Sequence, residues 1–512
     1  MTSMRIAEFG MRSLTVLLAI GACARAPVAS APSPASDDRR ALVAYLDSAL
    51  DQRMFRSSHW GVLIVDPERG DTIYSRNAGK LFMPASNEKI LTGAVALARL
   101  GPDFRWRTDF LARGTVRRDT LFGDLVVVGR GDPSLSRRMR GDPMAPLRDV
   151  ADSLRARGIR HVSGRITRGG DAFPDANWGF GWGWDDFSYY YGAGIDELFF
   201  NEGVAEVHVI GGARPGDLPR VWVGPTPIYP NVVNRARTGD APPAGAAGRP
   251  RNSLDAQWAT GLHAFQNGIV LSGQLAPGDS VMLEPAYPDV AVGYLAALQQ
   301  ALRDRGIEAP RGIDVEGRVP AESLASLTPL VATHSLPMRD VLKAMEKPSQ
   351  NQLAEIIFKT LGIEATGVGS ADSARRVVER QLVAWGVDSA GFAVRDGSGL
   401  SRHDYITPET LVRVLDVMRT HEHSQVFSDA LPIGGVDGTL RTRMTGTPAQ
   451  GNVRAKTGTV DKARSLSGYV TTADGRRLIF SMLSNNHVVG TRDVDRVVDG
   501  AMARMAAMRL GR

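Results

Sequence analysis

The chain has 512 residues, of which 43% are hydrophobic and 23% are charged, and its formal net charge is +6 at pH 7. This length predicts two to four domains, and the composition is ordinary for a globular protein. Lysines and arginines are dispersed, with no basic run interleaved with aromatic residues, so nucleic acid is not an expected partner. Mild positive charge suits an anionic partner such as a cell-wall polymer or a lipid surface, and an ordinary solvated surface explains it equally well.

Residues 1–23 predict an export signal. Arg5 and Arg12 precede the apolar run 14–20, which is too short to span a bilayer as a mature helix. The run leads into Ile-Gly-Ala-Cys, and Cys23 is the only cysteine of the chain. This pattern is similar to a bacterial lipoprotein signal, in which the cysteine is lipidated. Cleavage of an ordinary signal peptide after a small residue is the alternative. In both cases the mature chain can form no intramolecular disulfide.

The next segment predicts a tether followed by helix, two strands and helix. Residues 24–36 are almost all Ala, Pro and Ser, which is typical of a flexible tether. A helix is predicted from Asp37, and strands are predicted at 61–65 and 72–74. A second helix is predicted to begin near Ser86, because apolar residues then recur at helical spacing.

Between about residues 104 and 329 the chain is rich in Gly and Pro and predicts short strands, at 121–128, 162–167, 205–210, 220–223 and 269–271. We predict a mainly β insertion of two modules over 108–328. Helices are then predicted at 338–345, 351–361, 374–385 and 408–419. Three strands and a last helix follow, at 452–460, 466–472, 477–484 and 493–510. Segments 37–107 and 329–512 are expected to pair into one α/β domain that the insertion splits.

Ser86 and Lys89 carry the first chemical signal. Three positions apart on a helix, they place the lysine amine one turn from the serine hydroxyl. A hydroxyl beside an amine at a helix N-terminus has the parts of an activated nucleophile. A serine that only caps a helix, followed by a solvated lysine, has the same spacing, so this motif is weak alone. Glu88, inside the motif, is predicted to be solvated.

Two further motifs lie far away in the chain. Ser349 and Asn351 lie between two predicted helices, and Lys456-Thr457-Gly458 lies on a predicted strand whose edge the glycine leaves open. Ser-x-x-Lys, Ser-x-Asn and Lys-Thr-Gly in this order are the signature of penicillin-binding proteins and serine β-lactamases. All three occur on the expected kind of element, so the sequence predicts Ser86 as a nucleophile.

The chain resembles the low-molecular-mass class C penicillin-binding proteins, which are the D-alanyl-D-alanine carboxypeptidases/endopeptidases of the peptidase S13 family. The resemblance covers essentially the mature chain, and further segments carry it: 131–135, 201–202, 396–402, 431–440 and 465–470. It implies a penicillin-binding/serine β-lactamase-like transpeptidase fold of the α/β (α+β) class, made discontinuous by the large insertion.

The resemblance also implies roles for individual residues. Ser86 would attack the penultimate carbonyl of D-alanyl-D-alanine, Lys89 would take its proton, and Ser349 would pass a proton to the leaving D-alanine. Backbone N–H groups of Ser86 and Thr459 would form the oxyanion hole. The substrate would be held by Asn351, Lys456, Thr457, Gly458 and Thr459.

A second group of residues is implied to set specificity. Asp186, Tyr191 and Arg402 would grip the amine and carboxylate at the end of a diaminopimelate side chain. The alternative is that the aromatic residues of segment 184–191 only pack one domain on another. His421-Glu422-His423 lacks a third ligand at helical spacing and is predicted to be ordinary surface, so no metal or cofactor is expected.

The export signal and the resemblance together imply an exported serine DD-peptidase of the periplasm, a carboxypeptidase and/or endopeptidase of peptidoglycan, attached to a membrane through Cys23. Its partners would be peptidoglycan stem peptides, with β-lactams as covalent inhibitors. One alternative is a β-lactam hydrolase with the same nucleophile, although no motif marks a dedicated base for fast deacylation. The other is a catalytically silent peptidoglycan-binding lipoprotein, against which the intact motifs argue.

Overall fold

The computed structural model describes residues 34–240, 252–258 and 268–511. The predicted signal, Cys23 and the tether up to residue 33 lie outside these ranges. Within them, no helix is both long and apolar enough to cross a membrane. The first helix begins at Pro34, so the last three residues of the predicted tether are helical.

The chain forms eleven α-helices and twenty-one strands within the described ranges. The first segment contains α1 (Pro34–Leu50), β1 (His59–Asp66), β2 (Asp71–Arg76) and α2 (Glu88–Leu100). The middle segment contains β3 (Arg107–Arg117), β4 (Thr120–Val128), α3 (Arg137–Arg140), α4 (Ala145–Ala156), β5 (His161–Val162), β6 (Ile166–Gly169), β7 (Glu206–Ile210), β8 (Arg220–Gly224), β9 (Asn231–Asn234), β10 (Arg237–Thr238), β11 (Asp255–Trp258), β12 (Gly268–Ser272), β13 (Gln274–Leu275), β14 (Ser280–Leu283), α5 (Val290–Asp304), β15 (Ile313–Val319) and β16 (Thr328–His334). The last segment contains α6 (Met338–Glu346), α7 (Asn351–Thr366), α8 (Ala371–Ala384), β17 (Phe392–Ala393), β18 (Tyr405–Ile406), α9 (Pro408–Thr420), α10 (Ser424–Ala430), β19 (Arg454–Val460), β20 (Ala463–Thr471), β21 (Arg477–Asn485) and α11 (Thr491–Ala507).

A five-stranded antiparallel sheet joins the two ends of the chain, in the order β19-β20-β21-β1-β2. β1 pairs with β21 from His59↔Asn485 to Val65↔Ile479. Successive side chains of a strand point to opposite faces, and here both faces are buried. Helices α1 and α11 cover one face of the sheet, and α2 and α9 cover the other. The sheet therefore forms the centre of a three-layer unit, with β19 at one edge.

The middle segment contains two packing units. A larger sheet has the order β15-β6-β4-β3-β16, with β5 paired to β4, and α4 and α5 pack beside it. A smaller β unit encloses its own core around Val207, Val209, Ile269 and Leu271. The strand predicted at 162–167 is interrupted, because Gly164 passes so close to β4 that a Cβ there would lie 2.2 Å from Asp124 Oδ1.

β3 and β16 carry the chain into and out of the middle segment. They pair antiparallel from Arg107↔His334 to Ala112↔Thr328, within the larger sheet. The sequence-based boundary at residue 329 would divide β16. We therefore propose that the inserted unit spans 107–334 and that 34–106 with 335–511 form the unit around the central sheet.

Candidate active site

Ser86 lies in a 3₁₀ turn, Ala85–Asn87, that leads into α2. The helix itself begins at Glu88, and no side chain caps its N-terminus. The alternative that Ser86 only caps this helix is therefore not what the structure shows. Ala85 has a φ of 49°, a left-handed conformation that costs an alanine about 1 kcal/mol. Gly399 packs on this turn, where a Cβ would lie 1.9 Å from the Ala85 carbonyl oxygen. Tight packing thus holds a strained turn next to the Ser86 hydroxyl.

Lys89 Nζ is the hydrogen-bond partner of the Ser86 hydroxyl. It lies 2.9 Å from Ser86 Oγ, 2.7 Å from Asn351 Oδ1 and 2.8 Å from the Ser398 carbonyl oxygen. The side chain is fully buried, and burial lowers the pKa of Lys89 to about 8, although nearby carboxylates act in the opposite direction. A fraction of Lys89 is therefore neutral near pH 7 and able to accept a proton from Ser86.

Ser349 and Lys456 form a second hydroxyl–amine pair. Lys456 Nζ donates to Ser349 Oγ at 2.8 Å and to the Thr457 carbonyl oxygen at 2.9 Å. Burial, followed by the charge of Lys89, lowers the pKa of Lys456 to about 7. Two buried ammonium groups in one site repel, so the site favours one cationic and one neutral lysine.

Gly458 allows β19 to lie directly against the Ser86 turn. A Cβ at Gly458 would lie 2.1 Å from Ser465 Oγ and 3.0 Å from the Ser86 nitrogen. Asn87 Nδ2 donates to the Lys456 carbonyl oxygen at 2.9 Å and ties the turn to the strand. The structure thus brings the three distant motifs together at one edge of the central sheet.

The two threonines of β19 are placed differently. Thr457 Oγ1 donates to Thr439 Oγ1 at 2.7 Å, whereas the Thr459 hydroxyl accepts a hydrogen bond from Arg464. The Thr439 N–H donates to the Lys347 carbonyl oxygen, which places this residue beside the second motif. Thr439 lies within segment 431–440, and no local pattern in the sequence marks it as a site residue.

The motifs open into a cleft of about 890 Å³. Asp186, Tyr191 and Arg402 line it together with Ser86, and Tyr191 Oη donates to Asp186 Oδ1 at 3.0 Å. The Tyr191 carbonyl oxygen accepts from Asn351 Nδ2 at 2.8 Å, so the inserted unit contacts the second motif directly. Trp184 is 82% exposed, and domain packing therefore does not account for its place in segment 184–191.

Glu88 is fully buried, so the prediction that it is solvated is wrong. It packs under the loop 396–401, where a Cβ at Gly399 would lie 3.0 Å from Glu88 Cβ. Burial, with Asp396 and Glu355 nearby, raises the pKa of Glu88 well above its usual range. No local sequence pattern indicates that Glu88 is buried, because its burial depends on a loop that lies far along the chain.

The same loop is fastened to the inserted unit by Trp182. Its indole Nε1 donates to Asp396 Oδ2 at 2.8 Å, and this oxygen also accepts from the Ser401 N–H at 2.7 Å. Both side chains are buried. The indole therefore satisfies part of the hydrogen-bonding capacity of a buried carboxylate next to the active site.

Trp182→Phe is expected to lower the free energy of unfolding by about 1–3 kcal/mol, because it leaves the buried Asp396 carboxylate one donor short. Urea titration followed by circular dichroism measures the change. Trp184→Phe is the matched control: this ring is 82% exposed, so its stability should stay within about 0.5 kcal/mol of the parent. Equal effects of the two changes would contradict the expectation.

His421 and His423 have ring centroids 5.2 Å apart. Across the described residues, no group of three His, Cys, Asp or Glu side chains is arranged to hold a metal ion.

Comparison with known proteins identifies the family. Residues 42–508 match the D-Ala-D-Ala carboxypeptidase 3 (S13) family. The chain belongs to this family. The D-alanyl-D-alanine carboxypeptidase of Actinomadura sp. (strain R39) is 34% identical over 458 residues, which cover 86% of this chain and 80% of the relative. The D-alanyl-D-alanine carboxypeptidase DacB of Haemophilus influenzae is 26% identical over 447 residues, covering 86% of this chain and 88% of the relative.

The fold is also that of a solved penicillin-binding protein. The crystal structure of penicillin binding protein 4 (dacB) from Haemophilus influenzae matches with a TM-score of 0.75 at 23% identity, covering 90% of this chain and 99% of that chain. The predicted α/β penicillin-binding fold with an additional β-rich region is thereby confirmed. Membership of the S13 family likewise confirms the predicted enzyme class, a serine-type D-alanyl-D-alanine carboxypeptidase.

Proposed function

We propose that this S13 enzyme is an exported DD-peptidase that acts on peptidoglycan through an acyl-enzyme on Ser86. It removes terminal D-alanine from stem peptides and cuts D-alanyl-diaminopimelate crosslinks. The observation that carries the proposal is the 2.9 Å contact between Ser86 Oγ and the buried Lys89 Nζ. A hydroxyl beside a desolvated amine, with a second lysine in the same site, suits acyl transfer from a peptide that ends in a carboxylate.

In the acylation step Ser86 Oγ attacks the penultimate carbonyl and Lys89 Nζ accepts its proton. The terminal carboxylate of the substrate binds near Lys456 and raises the pKa of that lysine. A cationic Lys456 then disfavours a proton on Lys89. Substrate binding therefore favours the neutral form of Lys89, which accepts the Ser86 proton. Backbone N–H groups of Ser86 and Thr459 stabilise the oxyanion, and loss of one such donor typically costs about 10²–10³ in rate.

The motifs around Ser349 and Lys456 protonate the leaving group and bind the substrate. Ser349 Oγ, bonded to Lys456 Nζ, passes a proton to the leaving D-alanine amine. The carboxylate is held by the Thr457–Thr439 pair and by the Thr459 hydroxyl, which accepts from Arg464 and keeps its own O–H to donate. Asn351 orients Lys89 through Oδ1, and water then hydrolyses the acyl-enzyme.

Asp186, Tyr191 and Arg402 form the proposed subsite for the free end of diaminopimelate. An acid and a guanidinium on one cleft wall suit a group that carries both an amine and a carboxylate. Stem peptides with diaminopimelate should therefore react about tenfold faster in kcat/KM than those with lysine, which lacks the carboxylate. Equal kcat/KM values for the two kinds of stem peptide would contradict the assignment of this subsite.

The test of the function is incubation with purified muropeptides, with products identified by mass. We expect loss of D-alanine from pentapeptides and conversion of crosslinked dimers into monomers. Dimers that persist while pentapeptides are trimmed would restrict the enzyme to carboxypeptidase activity. No change in either substrate would contradict the proposal.

β-Lactams are proposed as covalent inhibitors that acylate Ser86. The penicillin binding protein 4 relative from Haemophilus influenzae was solved in complex with a β-lactam. Slow release of bound penicillin supports a peptidase, whereas rapid turnover would favour the alternative of a β-lactam hydrolase.

We also propose that Cys23 carries a lipid anchor, because it follows the apolar run of the export signal. Cys23→Ala should move the protein from the membrane fraction to the soluble periplasmic fraction, as followed by immunoblotting. An unchanged distribution would contradict the anchor and leave the peptidase proposal intact.

A further inference from the structure

Glu346 is a buried carboxyl group that the mechanism above does not use. It is the last residue of α6 and lies three residues before Ser349. Its side chain is fully buried, and within the described residues neither carboxylate oxygen has a hydrogen-bond partner. Such burial is unfavourable unless positive charge nearby compensates it.

The Glu346 carboxylate packs on the face of α2 that carries Lys89. Gly93 lies four residues after Lys89 and therefore on the same helix face. A Cβ at Gly93 would lie 3.1 Å from Glu346 Oε1 and 2.9 Å from Leu342 Cδ1. Because Gly93 has no side chain, the Glu346 carboxylate has room to pack on this helix face, beside Lys89.

Two ammonium groups act on Glu346: Lys89 from α2 and Lys456 from β19. They favour its ionised form, while burial raises the pKa of Glu346 to about 7. Apart from Glu346, the charges that act on Lys456 are those of Lys89 and Arg464. Three further buried acids act on Lys89 but not on Lys456: Asp396, Glu355 and Glu88. Glu346 is therefore the acid shared by both lysines.

We propose that Glu346 is a positioning residue that acts on Lys89 and Lys456 at the same time. Its charge stabilises the cationic form of both buried amines and so sets the pH at which each of them loses its proton. The inference rests on the proposed function, which gives Lys89 and Lys456 their roles.

Glu346→Gln keeps the shape of the side chain and removes its charge. Both lysines then lose their protons at lower pH, because their cationic forms are no longer stabilised. Neutral Lys89 is needed to accept the proton of Ser86, so the low-pH limb of the kcat/KM profile moves to lower pH. Cationic Lys456 is needed for the substrate carboxylate, so the high-pH limb moves in the same direction.

The experiment measures kcat/KM for D-alanine release as a function of pH, which reports the ionisations of the free enzyme. We expect both limbs of the Glu346→Gln profile to shift down by about one pH unit. Glu88→Gln is the matched control: within the described residues its carboxylate is also buried without a hydrogen-bond partner, and of the two lysines it acts only on Lys89. In this variant the titration midpoint of Lys456 should stay in place.

A Glu346→Gln profile that is lower in height but unmoved would show a purely structural role and overturn the proposal. Movement of a single limb would overturn it too. If the Gln variant does not fold, Glu346→Leu provides a second uncharged side chain. The ¹³Cε NMR titrations of Lys89 and Lys456 in a Ser86→Ala background give a readout without activity, and both midpoints should fall. A parent enzyme that releases no D-alanine would contradict the proposed function, while these titrations would still test Glu346.

Discussion

Ser86→Ala is expected to abolish covalent labelling by a fluorescent penicillin and to lower kcat/KM for D-alanine release by about 10⁴-fold or more. The change removes the hydroxyl oxygen that is proposed to form the acyl bond, while Lys89 keeps its contacts with Asn351 and Ser398. Labelling in folded protein and release of D-alanine measure the two effects.

Ser467→Ala is the matched control for this change. Ser467 is a fully buried serine on β20, and its hydroxyl donates to the Ser481 hydroxyl at 3.0 Å. The control should keep labelling and activity within about threefold of the parent, since it leaves the cleft unaltered. If Ser86→Ala retained covalent labelling, Ser86 would not be the nucleophile.

Lys89→Met is expected to slow acylation by penicillin by about 10³-fold, within the range typical of losing a general base. Methionine preserves much of the buried volume but cannot accept the Ser86 proton, and it leaves Asn351 Oδ1 and the Ser398 carbonyl oxygen without their donor. Stopped-flow fluorescence with a labelled penicillin measures the rate constant, and circular dichroism checks the fold.

Lys80→Met provides the control, because Lys80 is an exposed lysine six residues before Ser86. Its acylation rate should match that of the parent. An acylation rate for Lys89→Met within tenfold of the parent would assign the base to another group, for which Lys456 through Ser349 is the alternative in this site.

Local sequence patterns predicted the regular elements of the central unit. Helices α2, α6, α7, α9 and α11 and strands β1, β2, β19, β20 and β21 all occur close to their predicted positions. Their signals are the spacing of apolar residues and the turn residues between them, which are properties of short segments. The inserted unit was harder to predict, because its strands are short and irregular, and Gly164 breaks one of them where it crosses β4.

The family and the motifs Ser86–Lys89, Ser349–Asn351 and Lys456–Gly458 can be recognised from the amino-acid sequence, because the identity and order of those residues are sufficient. In contrast, the tertiary fold sets the environment of these motifs. It buried Glu88 under the loop 396–401, engaged Thr459 with Arg464, paired Thr457 with Thr439 and placed Glu346 in the space left by Gly93. Each of these outcomes depends on contacts between segments far apart in the chain. Burial, pKa and hydrogen bonding at a site are properties of all the surrounding segments, which no local pattern contains.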